Sequence, residues 1–167
     1  MWPDKEMNLF LMTGNHMQQK TSLLHKLHYL PRHSIAILNL LFLFLALFLF
    51  FGRMNPSFRL PFLVHLFPEY YTHISNFSIS FILLSNVGLV WLLLGIPYRY
   101  LLLFGLILVV ANLVYEQWVT FINTKDTMDM YYGFAGIILA LVSLFITKTW
   151  GLRPNHLKEQ QEKNMLG

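Results

Sequence analysis

The feature that most constrains this chain is a series of four long stretches that are almost free of charged side chains. They cover about residues 35–51, 74–96, 101–122 and 128–146. The hydrocarbon core of a bilayer is about 30 Å thick, and about 20 apolar residues in a helix cross it. Within lipid the backbone must satisfy its own hydrogen bonds, which favours helices. The sequence therefore predicts an all-α integral membrane protein with four transmembrane helices in a small bundle.

Composition leaves little room for anything else. Only 12% of the residues are charged and 56% are hydrophobic, a balance that a soluble domain of this length rarely has. The four spans and their connections occupy residues 34–147, which we interpret as one transmembrane domain. The absence of cysteine excludes disulfides, thiolate metal sites and a cysteine nucleophile.

The two tails are more polar than the spans. Residues 1–33 contain Leu23, Leu24, Leu27 and Leu30 at helical spacing, with basic residues between them. This pattern is typical of a short amphipathic helix lying at the membrane interface, here ended near Pro31. Residues 148–167 predict a polar, solvated tail.

The distribution of basic residues predicts the orientation. Four spans place both termini on the same side of the membrane. Nine Lys and Arg residues lie in the tails and the 97–100 turn, whereas three lie in the 52–72 and 123–127 loops. The positive-inside rule then places both termini in the cytoplasm of a multi-pass protein of the cell membrane. Attraction to lipid head groups explains the basic tails, so the bilayer is the expected partner and nucleic acid is not.

The longest connection, residues 52–72, combines prolines with aromatic side chains. Pro56, Pro61 and Pro68 interrupt helical continuity. An interfacial segment packed on the membrane surface fits this mixture, with the tyrosines at head-group depth. A re-entrant loop that lines a cavity is the alternative.

Polar side chains gather where the second, third and fourth spans meet the outer side. His73 and Asn76 share one face of the second span, and Asn112 lies one turn before Glu116 on the third. Ionisable groups beside a bilayer core are costly and mark functional sites by default. The candidate functional cluster comprises Glu116, Asp129, Asp126, His73, Gln117, Asn112 and Asn76. Structural roles are open as well, since Glu116 could reach the interface and Asp126 could cap the fourth helix.

Small residues form a seam along the fourth span. Asp129, Gly133, Gly136, Ala140 and Ser143 follow one another at spacings of four, three, four and three. Small side chains at this spacing allow close helix approach. The seam predicts helix packing, either within the chain or in a homo-oligomer, and places Asp129 on the bundle side.

Short motifs from about residue 69 to residue 143 resemble the VanZ-like family of small bacterial membrane proteins. Glu69-Tyr-Tyr-Thr-His73 is similar to the acid and histidine that open one span in that family, with Tyr70 where a lysine is usual. Glu116-Gln117 and Asp126-Thr-Met-Asp129 stand where its Glu/Gln pair and paired acids occur, and Gly136 and Ala140 where its glycines fall. The resemblance implies a cell-envelope protein, in some members associated with resistance to the glycopeptide teicoplanin. It implies no established reaction.

Three classes of function compete. An outer polar site that binds an envelope lipid or cell-wall precursor is the first. The second is a membrane enzyme that uses the paired carboxylates and a histidine on a lipid-linked substrate. It lacks the strongest catalytic motifs, including His-Glu-x-x-His and Gly-x-Ser-x-Gly. A small transporter or structural subunit is the third, although the two halves show no internal repeat. The sequence favours binding over catalysis and predicts neither a metal site nor a cofactor.

Overall fold

Four long helices dominate the computed structural model, which describes residues 26–118 and 127–156. A short strand, β1, precedes them and a second, β2, follows them. In chain order the elements are β1 (Tyr29–Pro31), α1 (His33–Met54), a 3-10 turn (Pro56–Phe58), α2 (Pro61–Leu66), α3 (Tyr70–Leu93), α4 (Tyr98–Trp118), α5 (Thr127–Ile146), a π-helical turn (Thr147–Gly151) and β2 (Leu152–Pro154).

The prediction of four long apolar helices is confirmed. Helices α1, α3, α4 and α5 are each long and apolar enough to cross a membrane. Several boundaries differ from the hydropathy limits: α1 extends to Met54, α3 runs from Tyr70 to Leu93 rather than over residues 74–96, and α4 begins at Tyr98 rather than at residue 101. Helix α3 begins before its apolar run because Tyr70 and Tyr71 are buried with Ile74 in a small apolar cluster at this end of the bundle.

The tails differ from the sequence expectation. Residues 23–25 of the predicted surface helix lie outside the described residues, and Tyr29–Pro31 is a strand rather than the end of a helix. This strand pairs antiparallel with Leu152–Pro154, so Leu30 faces Arg153 across the tail sheet formed by β1 and β2. Asn155 Nδ2 donates to the carbonyl of Leu27 at 2.9 Å. The start of the predicted solvated tail is therefore packed, because both segments satisfy their backbone through each other.

Helix α3 lies at the centre of the bundle. It packs most closely against α5, and α1 and α4 contact this pair from either side. At Gly136 an added Cβ would overlap the carbonyl oxygen of Phe77, so the two backbones approach as closely as glycine allows. The apolar core of the bundle is fully buried at Leu84, Leu101 and Leu144.

The connection from α1 to α3 folds back over the start of α3. The hydroxyl of Tyr71 accepts a hydrogen bond from the Leu60 amide at 2.6 Å, and the Arg59 side chain donates to the Gly52 carbonyl at 3.0 Å. Arg53 also donates to the Ser75 hydroxyl. These contacts place α2 and the segment before Tyr70 at the end of the bundle where α3 and α5 begin.

Candidate functional site

The central contact of the site joins α3 to α5. Nδ1 of His73 lies 2.8 Å from Oδ1 of Asp129, and both side chains are largely buried. His73 lies in the first turn of α3 and Asp129 in the first turn of α5, where the free amides of a helix N-terminus stabilise an acid. The carboxylate fixes the orientation of the imidazole ring, which also lies 5.4 Å from the ring of Tyr132 between centroids.

A second polar contact joins α3 to α4. Asn76 donates from Nδ2 to Oε1 of Glu116 at 3.1 Å. Glu116 is only 4% exposed, so its side chain is directed into the bundle and does not extend outward to the interface. Because Asn76 lies one turn after His73 on α3, the two carboxylates are held by neighbouring positions of the same helix face.

A third contact lies deeper in the bundle. Asn112 donates from Nδ2 to the hydroxyl of Ser80 at 3.1 Å, again between α4 and α3. Gly133 of α5 faces this amide, and a Cβ there would come within 2.6 Å of Asn112 Nδ2. The glycine therefore makes room for the asparagine between the helices.

The His73–Asp129 pair borders a cleft at the same end of the bundle. This His73 cleft has a volume of about 370 Å³. It is lined by Leu66, Phe67, Pro68, Glu69, Tyr70, His73, Met128 and Tyr132. Its walls are mostly aromatic and aliphatic, with a carboxylate and an imidazole as the ionisable groups. We call this end of the bundle, which carries His73, Glu116 and Asp129, the acidic end.

The predicted cluster is partly assembled. The structure brings His73, Asn76, Asn112, Glu116 and Asp129 together through the three contacts above. Asp126 lies outside the described residues, as does the side chain of Gln117. The sequence interpretation missed Tyr132 as a member of the site. Its spacing of three from Asp129 on one helix was a usable signal.

The four small residues of the predicted seam on α5 are all buried, namely Gly133, Gly136, Ala140 and Ser143. Gly133 and Gly136 face α4 and α3, as described above. Ser143 donates to Oδ1 of Asn39 at 3.5 Å, and Asn39 donates to the hydroxyl of Thr147 at 3.2 Å. The seam therefore packs within the chain, and its last member contacts α1 rather than α3.

The chemistry available at the site is that of hydrogen-bonded carboxylates and an oriented imidazole. The imidazole can accept a proton, and the carboxylates can accept hydrogen bonds from a ligand. Residues 26–118 and 127–156 contain no group of three or more side chains that could hold a metal ion.

The helices define the class: by length and composition this is a multi-pass membrane protein with four candidate transmembrane helices. Comparison with known proteins takes the assignment no further, since no family model, curated protein or solved structure matches the chain.

Proposed function

We propose that this protein is a VanZ-like cell-envelope protein of the cell membrane, with its termini in the cytoplasm. Its acidic end faces outward and binds an envelope lipid or cell-wall precursor. Through this binding it alters susceptibility to glycopeptide antibiotics. The positive-inside distribution and the motifs at Glu69–His73, Glu116 and Asp126–Asp129 support the proposal.

The observation that carries the proposal is the His73–Asp129 pair at the edge of the His73 cleft. Ligand sites are concave and mostly apolar, with a few convergent polar groups that fix orientation. Here Phe67, Tyr70 and Tyr132 supply apolar surface, and His73 and Glu69 supply polar groups. An amphipathic ligand matches this combination because its chain and its head group find different surfaces within one cleft.

The contacts behind the cleft support a role in positioning. Asn76 and Glu116 lie one turn further into the bundle than His73, and their hydrogen bond ties α4 to α3. Polar pairs between helices fix rotation and depth at a modest energetic gain, about 1 kcal/mol or less each. They therefore stabilise the geometry of the cleft more than the bundle as a whole.

The test is teicoplanin susceptibility in a bacterial host that expresses the wild type or a variant, with membrane abundance measured in each. We expect the wild type to shift susceptibility, and Glu116→Gln and Asp129→Asn to remove the shift at equal abundance. Asn76→Ala and Asn86→Ala form a matched pair on α3, because the partner of Asn86 among the described residues is the carbonyl of Ile82 in its own helix. Asn76→Ala should lose the effect and Asn86→Ala should keep it.

Two results would contradict the proposal. If the wild type shifts no susceptibility, the antibiotic role is wrong. If the matched asparagine variants lose the effect equally, the contact with Glu116 has no functional part.

The His73–Asp129 pair also supports the alternative of a membrane enzyme acting on a lipid-linked substrate. A carboxylate that orients an imidazole is a recurring arrangement for a general base. In that case His73 would take the proton and Asp129 would position it. Turnover of a lipid-linked substrate by the purified protein, lost in His73→Gln, would favour this alternative over binding alone.

A further inference from the structure

Charge is unevenly distributed along the described part of the chain. The three acids within residues 26–118 and 127–156, Glu69, Glu116 and Asp129, all lie at the acidic end, together with Arg53 and Arg59. The opposite end, which we call the basic end, comprises the tail sheet, the 94–97 turn and the residues beside them. It carries the exposed cations Lys26, Arg32, Arg99, Lys148 and Arg153. No described acid lies among them.

A pocket of about 320 Å³ opens within the basic end. The tail sheet contributes Tyr29 and Leu152, the turn after α3 contributes Gly95–Pro97, and Lys148 comes from the π-helical turn. Gly95 has a φ of 81°, a conformation that suits glycine and turns the chain sharply at the edge of the pocket. The pocket thus exists only because the tail sheet lies against this turn.

Lys148 is the charged group of the pocket. Its Nζ lies 5.4 Å from the centroid of the Tyr98 ring, a cation–π distance. The Tyr98 hydroxyl donates into the bundle, to the carbonyl of Leu141 at 2.7 Å, which holds the ring in place. The ammonium group is therefore positioned without a carboxylate among the described residues, and Leu92, Ile96 and Leu152 provide apolar surface beside it.

Exposed aromatic side chains lie at this end of the helices, and one of them, Tyr29, lines the pocket. Tyr29, Tyr100 and Trp150 are 39%, 43% and 63% exposed at the same end of the helices. Exposed tyrosine and tryptophan at the ends of apolar helices are typical of head-group depth. A lysine at this depth lies at the level of lipid phosphates. A ligand that enters from the bilayer also has an apolar part, which the apolar surface of the pocket can contact.

We propose that this pocket is a binding site for an anionic phospholipid, with the head-group phosphate on Lys148 and the glycerol region against Ile96 and Leu152. Lys26, Arg32, Arg99 and Arg153 add attraction at longer range. The site is separate from the His73 cleft, and the inference stands whether or not the cleft binds an envelope lipid.

Lipid binding to the full-length protein in detergent, measured by native mass spectrometry, tests the proposal. Phosphatidylglycerol and phosphatidylcholine with identical acyl chains are titrated separately. One basic residue near the surface is worth about a fivefold change in affinity for anionic lipid. We expect the wild type to prefer phosphatidylglycerol, and Lys148→Gln to lower its affinity by about fivefold.

Matched variants distinguish a site from diffuse attraction. Lys26→Gln removes the same charge at the same end, but Lys26 does not line the pocket, so it should lower affinity clearly less than Lys148→Gln does. Lys148→Arg should retain the preference. Equal losses in Lys148→Gln and Lys26→Gln, or no preference between the two lipids, would overturn the proposal. Full competition by inorganic phosphate would assign the pocket to free phosphate instead of lipid.

Discussion

His73 and Asp129 contact each other at 2.8 Å across the boundary between α3 and α5, the two helices that pack most closely. The contact lies in the first turn of each helix. It therefore fixes the relative rotation of α3 and α5 at the rim of the His73 cleft.

The first prediction concerns the coupling between these two residues. We expect His73→Ala and Asp129→Ala each to lower the free energy of unfolding, and the double variant to cost less than the sum by about 1 kcal/mol. Either single change removes the same hydrogen bond, so the second change has no such bond left to remove. Thermal unfolding of all four proteins in one detergent measures the difference, and strictly additive losses would contradict it.

Helix approach at Gly136 gives the second prediction. Gly136→Ala should destabilise the protein by about 1–3 kcal/mol, because the new methyl group meets backbone rather than a movable side chain. Gly105→Ala is the matched control, since its Cβ would lie 3.3 Å from the flexible tip of Leu141. Both substitutions raise helix propensity by the same amount. The difference in unfolding temperature between the two variants therefore measures the overlap of the new methyl group with the backbone of Phe77. Equal unfolding temperatures would show that α3 and α5 are further apart than described.

The tail sheet gives the third prediction, which exploits the absence of cysteine. The double variant Leu30→Cys, Arg153→Cys places two thiols at paired positions and should cross-link efficiently under mild oxidation. Lys26→Cys with Arg153→Cys is four positions out of register and should cross-link poorly. The loss of maleimide-reactive thiols on a gel measures both, and equal yields would contradict the register.

The fourth prediction tests the proposed orientation. Ser57 lies in the exposed connection between α1 and α3, and Lys26 is exposed at the basic end. In intact cells a membrane-impermeant maleimide should label Ser57→Cys, whereas Lys26→Cys should react only after permeabilisation. The reverse pattern would place the acidic end in the cytoplasm, and with it the His73 cleft.

The helices were predictable because their cause is local. Transfer of an apolar run into lipid depends on that run alone. The length of the four stretches and their lack of charge therefore identify them in the sequence. The partners of the polar residues were not predictable in the same way. Periodicity placed His73 and Asn76 on one face of α3. It could not determine that His73 would contact α5 and Asn76 would contact α4, because these contacts depend on how the three helices pack around one another.

The tail sheet illustrates the other limit. Its strands contain only three residues each, and each includes a proline, so neither has a local β signal. The leucine spacing before Pro31 was a stronger local pattern and predicted a helix. Pairing with a segment from the far side of α5 overrode that preference for Tyr29–Pro31.

The same sheet constrains the order of synthesis. Strand β1 leaves the ribosome before any of the four long helices, and its partner β2 leaves after the last of them. Until then the backbone groups of Tyr29–Pro31 lack their partner strand, and the pocket around Lys148 lacks the side chain of Leu152. A nascent chain halted before Leu152 thus has all four helices but an unfinished basic end. Closure of this sheet therefore requires that synthesis has passed α5 and β2.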